Sequence, residues 1–98
     1  MENKDENSIE LTEDKARKIY EEFLRIIREI DVTIDSEGML DEPIILSLRG
    51  EKLKEVYKVL FRDKFFIVST HTQDFPRKFR ADRLLKVSVH KEQEINVD

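Results

Sequence analysis

The sequence predicts an α+β fold, specifically a two-layer α/β sandwich whose elements run β-α-β-α-β-β. Three observations lead there. Apolar residues recur at helical spacing over residues 13–30 and again over 51–62. Short β-favouring runs lie at Ile44–Leu48, Phe65–Thr70 and Leu84–His90. The length of 98 residues allows one small core. Two helices on one face of a mixed sheet would bury these runs. The last two strands are expected to form a projecting C-terminal hairpin arm.

Along the chain, residues 1–7 are polar and aperiodic and read as a disordered leader. A single domain is expected over 8–91, with a frayed tail at 92–98. Ser8–Leu11 alternates like a short first strand. Thr12-Glu13-Asp14 then gives an N-cap followed by acids, which the positive end of a helix favours. Ala16, Ile19, Tyr20, Phe23, Ile26, Ile27 and Ile30 form one wide apolar stripe, as a helix lying across a sheet requires. Asp31–Asp35 alternates like a strand but is also readable as part of an acidic loop. Gly38 marks a turn. The acids of residues 31–42 lack the spacing of a calcium-binding loop.

Ile44–Leu48 is apolar enough for a central strand, closed by Arg49-Gly50. Leu53, Val56, Tyr57, Leu60 and Phe61 fall at i, i+3, i+4, i+7 and i+8, which predicts a second helix over 51–62. Its remaining positions carry Lys52, Lys54, Lys58 and Arg62. After Phe65–Thr70, the stretch from Thr72 to Asp82 is polar and basic, and Pro76 interrupts regular pairing.

Charge is unevenly distributed. Residues 1–50 hold fourteen acids against seven bases, while residues 51–91 hold eleven bases against five acids. Arg77, Lys78, Arg80 and Arg83 fall within seven positions, with Phe75 and Phe79 interleaved. Such a cluster suits phosphate contact, with an aromatic ring available to stack on a base. The competing reading is that the phenylalanines close the core edge while the charges solvate a hairpin.

From Ile44 onward the chain resembles the Alba family of archaeal chromatin and RNA-binding proteins. The resemblance rests on the strand-turn-helix segment ILSLRGEKLKEVYKVL, the basic arm from Arg77 to Arg83, and the closing strand RADRLLKVSVHK. It implies an archaeal homodimer that binds DNA or RNA. One departure is the loop before the first helix, which is acidic here where that family carries lysines. Abundant Glu, Lys, Arg and Ile, without Cys or Trp, leans towards a thermophile.

No enzyme is expected. The two histidines, His71 and His90, lack an evident catalytic partner, and only two glycines are present, so no phosphate-cradling loop can form. No cofactor or metal is implied. The absence of Cys fits a cytoplasmic protein, and no apolar run approaches the ~20 residues of a membrane span. The expected function is therefore low-specificity nucleic-acid binding through Arg77, Lys78, Arg80, Arg83 and Phe79, assisted by Lys52 and Lys54. The alternative is a protein-interaction module, from a virus or mobile element, that uses the acidic half or the amphipathic helix.

Overall fold

The structure, a computed structural model, describes residues 10–89. The expected leader, the tail, His90, and Ser8 and Ile9 of the first expected strand lie outside that range. One helix, α1 (Glu13–Glu29), precedes five strands: β1 (Met39–Leu48), β2 (Glu51–Arg62), β3 (Phe65–Thr70), β4 (Arg77–Arg80) and β5 (Leu84–Val89). A short 3-10 turn at Ala81–Arg83 joins the last two. All pairings are antiparallel, in the order β4-β3-β2-β1-β5. The expected two-layer sandwich with a mixed sheet and two helices is therefore overturned: the described residues form a mostly β fold with one α-helix against an antiparallel sheet.

Helix α1 forms where the sequence places it. The Thr12 hydroxyl accepts a hydrogen bond from the Lys15 backbone N at 3.1 Å, capping an otherwise orphaned donor. At the other end Asp31 takes a left-handed φ of 69°. Its N–H reaches Arg28 O, and the Val32 N–H reaches Ile27 O. This is a Schellman closure, sealed by the buried Ile27 and Val32. Because Asp31 and Val32 serve that closure, the strand expected over Asp31–Asp35 shrinks to one bridge, Ile34 to Leu40.

The second expected helix is strand β2. Against β1, Leu46 faces Leu53 and Ile44 faces Val56, so β2 spends three residues where β1 spends two. Against β3, Val56 faces Thr70 and Lys58 faces Ser69, which inserts another residue. Each insertion is a β-bulge. The inward positions become Leu53, Val56, Val59 and Phe61, spaced three, three and two apart. Strand periodicity was thus stretched to nearly helical periodicity. Glu55 occupies the first bulge at φ 55°, a left-handed conformation that a Gly or Asn would have advertised.

The sheet is strongly curled. Four strand spacings of about 4.8 Å would separate β4 from β5 by roughly 19 Å in a flat sheet. The three-residue 3-10 turn advances only about 6 Å. The two edge strands must therefore curve towards each other, and their inner faces enclose Leu46, Leu48, Val56, Val59, Phe66, Val68 and Phe79. Helix α1 adds Tyr20, which stacks on Phe61 at 4.6 Å, and Phe23, which meets Phe66 edge-on at 5.5 Å.

The projecting arm is also corrected. β3 and β5 do not pair, since β5 lies beside β1 on the far side of the sheet. The hairpin that forms is β3–β4, with Phe66 opposite Phe79 and Phe65 opposite Arg80. Pairing β5 with β1 places Val87 opposite Leu46, both facing the core. Burial of that apolar row decides the choice of partner.

Candidate nucleic-acid interface

The basic cluster from Arg77 to Arg83 is drawn into the framework of the fold. Arg77 Nη2 donates to Glu51 Oε2 at 2.5 Å, and Arg83 approaches the same carboxylate at 3.7 Å. Arg83 also donates to the Arg49 carbonyl at 2.7 Å, while Arg49 donates to the Asp82 carbonyl at 3.0 Å. Arg80 grips Asp82 with two bonds, at 2.9 and 2.6 Å. These contacts tie the 3-10 turn to the β1–β2 hairpin. The Arg77 hydrogen bond holds the Glu51 carboxyl below its usual carboxylate range, and Arg80 does the same to Asp82. Asp82 in turn raises the Arg80 guanidinium.

Phe79 is 3% exposed and stacks on Phe66 at 5.3 Å, so it belongs to the core and presents no ring to a ligand. Lys78 differs from its neighbours. It is exposed, and its Nζ lies 4.6 Å over the Phe65 ring, a cation–π contact. Lys52 and Lys54 are exposed on β2.

Cross-strand register assembles a different basic surface on the outer face of β2, β3 and β4. Directly opposed residues share a face. One row is Met39, Lys58 and Ser69, the next is Leu60, Ile67 and Lys78, and the third is Arg62, Phe65 and Arg80. No acidic side chain enters these rows. Lys52, Lys54, Lys58 and Arg62 take no ion pair among the described residues. Phe65 and Ile67 are half-buried, and Leu60 is 38% exposed. The surface is thus a set of cations around a partly exposed apolar and aromatic strip.

Lys58, Arg62 and Phe65 are not among the residues expected from sequence, because the apolar spacing of residues 51–62 predicts a helix. The available signal was the two-residue connection Asp63-Lys64. Asp63 takes the positive φ, 58°, common in such hairpin turns. Once β2 is a strand, that connection sets Arg62 opposite Phe65.

His71 stacks on Tyr57 with ring centroids 4.4 Å apart, and its backbone N donates to Glu55 O at 3.1 Å. Among the described residues no cluster of three metal-ligating side chains forms. On the loop between β3 and β4, Phe75 is 77% exposed.

Comparison with known protein families, with curated proteins and with solved structures finds no match. The strand-turn-helix segment on which the Alba resemblance rested folds as strand, turn and strand. No helix among the described residues is long and apolar enough to cross a membrane.

Proposed function

We propose that the protein binds nucleic acid with little sequence preference, taking single strands across the outer face of β2, β3 and β4. The carrying observation is the set of Lys58, Arg62 and Lys78 along the strip of Leu60, Ile67 and Phe65 on the outer face, with no acid at the opposed positions and with Lys52 and Lys54 further along β2. Cations on a sheet face meet the phosphates, and an aromatic ring offers a stacking surface that any base can use. The ammonium resting on Phe65 marks that ring as reachable from the outside. Duplex is a poorer fit, because this face is broad rather than a narrow ribbon that enters a groove. The arginines of residues 77–83 contribute indirectly, by holding β4 and the 3-10 turn in place.

The test is fluorescence anisotropy with labelled oligo-dT and oligo-rU between 50 and 200 mM salt, with a duplex of equal length for comparison. Five cations contacting phosphates on a single strand give a log–log salt slope of about −3.5, a loss of about a hundredfold in affinity over that range. The triple variant Lys58→Glu, Arg62→Glu, Lys78→Glu is expected to abolish binding while leaving the circular dichroism spectrum unchanged. Failure of the wild type to bind at the low-salt end, or unaltered binding by the triple variant, would overturn the proposal.

A further inference from the structure

We propose that the free edge of β5, with the groove between it and α1, is a docking site for an extended acidic–apolar segment of a partner protein, which adds to the sheet as a sixth strand. The surface is distinct from the β2–β3–β4 face and the inference does not depend on nucleic-acid binding.

Strand β5 pairs on one side only, with β1, among the described residues. A groove of about 320 Å³ runs beside it. Its walls are Ile19, Phe23 and Ile26 of α1 and four consecutive residues of β5, Leu84 to Val87. Successive strand residues point to opposite faces. Lys86 and Val87, in the regular part of β5, point to opposite faces and both line the groove, which therefore borders the strand's backbone edge rather than one of its faces. This edge is where an added chain would find main-chain hydrogen-bond partners.

Leu85 strengthens the case. Ser47 faces Lys86 and Leu48 faces Leu84, so Leu85 is an extra residue bulged out of the ladder. It is 63% exposed at the mouth of the groove. The bulge disrupts pairing at the start of β5 and leaves Lys86 to Val89 as the regular edge. A segment paired there could direct alternate side chains against Leu85, Ile19 and Ile26.

Charge selects the occupant. Lys18 and Lys86 flank the groove, both exposed and without an ion pair among the described residues. The one acid in its lining, Glu22, is engaged by Arg25, which also donates to Glu29 at 2.6 Å. The groove is therefore apolar inside and positive at its rim. A second copy is a poorer occupant. Its β4 would bring Lys78 and Arg80 towards Lys86, and its β5 would bring another Lys86. Carboxylates alternating with Val or Ile satisfy both the interior and the rim.

The probe is the synthetic peptide acetyl-Glu-Val-Glu-Ile-Glu-Val-Glu-amide, titrated into ¹⁵N-labelled full-length protein. The expected result is amide shifts and slowed exchange centred on Lys86 to Val89, with a Kd on the order of 10–100 μM. Leu85→Asp is expected to weaken binding at least about tenfold, as loss of one well-buried apolar contact implies. That side chain is largely exposed, so the variant should fold, which its circular dichroism checks. Lys86→Glu should weaken this peptide and favour the same peptide with Lys in place of Glu. Methylating alternate backbone nitrogens should abolish binding. No binding up to about 1 mM, shifts centred away from β5, or equal binding of the methylated peptide would overturn the proposal. So would a dimer in sedimentation that Leu85→Asp converts to monomer and that blocks the peptide, because the site would then belong to a second copy.

Discussion

Gly38 and Gly50 allow the packing of β1 on β2 to be tested quantitatively. Both have positive φ, 86° and 94°, so alanine at either position incurs left-handed strain of about 1–2 kcal/mol. Their surroundings differ. A Cβ on Gly38 would lie 2.5 Å from the Val59 carbonyl oxygen and 2.9 Å from Leu60 Cδ2, whereas the nearest atom to a Cβ on Gly50 is Arg83 Nη2 at 3.9 Å. Relieving the clash at Gly38 means moving β1 from β2, which strains the 2.8 Å bond from Val59 N to Gly38 O. Losing that bond adds about 0.5–1.5 kcal/mol. Alanine also stiffens the unfolded chain, which offsets about 0.4–1 kcal/mol at both sites. The net expectation is about 0.5–1 kcal/mol lost for Gly50→Ala and about 2 kcal/mol for Gly38→Ala. For a domain of this size the second corresponds to a fall in Tm of roughly 8–16 °C. The chain has no Trp, so urea unfolding is best followed by far-ultraviolet circular dichroism. Equal losses for the two variants would refute the close approach of Gly38 to Val59, and with it the register at the start of β1.

Other substitutions probe separate parts of the molecule. Phe66 is fully buried among Phe23, Phe61 and Phe79, so Phe66→Ala should cost about 3–5 kcal/mol by urea titration, and a loss under 1 kcal/mol would contradict this packing. Glu55→Gly separates a bulge from a helix by sign: relief of the left-handed conformation should leave stability unchanged or raise it by up to about 1 kcal/mol, whereas glycine inside a helix would lower it by a similar amount. Glu51 and Asp82 have folded pKa values depressed below the ordinary 4.5 and 3.8, through hydrogen bonds from Arg77 and Arg80 respectively. Their contribution is complete above those ordinary values and is lost as pH falls through the depressed ones. Wild type should therefore lose Tm more steeply below about pH 4 than the double variant Glu51→Gln, Asp82→Asn, and parallel calorimetric profiles from pH 2.5 to 6 would exclude the two pairs as the source.

Much of the site was hidden for one local reason. Residues 51–62 contain two bulges, and both bulge regions are filled with ordinary residues, Glu55 and Tyr57, rather than glycine. The outward Tyr57 and Leu60 then completed an apparent helical stripe together with the inward Leu53, Val56 and Phe61. With that strand misread, the alignment of Arg62 with Phe65 and of Ile67 with Lys78 had no basis. The arginine cluster misled in another way. Sequence shows that Arg77, Arg80 and Arg83 are close together, but not that Glu51, Asp82 and the Arg49 carbonyl lie within hydrogen-bond reach.

Features that depend on local periodicity and capping are legible in the chain alone. Helix α1, with Thr12 at its start and basic Arg28 in its last turn, is encoded within its own residues, as are strand β3 and most of β5. The apolar run Ile44–Leu48 likewise sufficed to identify the core of β1. Tertiary contacts set which strand lies beside which, where β2 bulges, and which cations take no ion pair among the described residues. Those outcomes depend on contacts between residues distant in sequence, above all the packing of Phe66 against Phe23 and Phe79 and the capture of Arg77 by Glu51. A single chain carries no local mark of such pairings, because burial is a property of the assembled core rather than of any one segment.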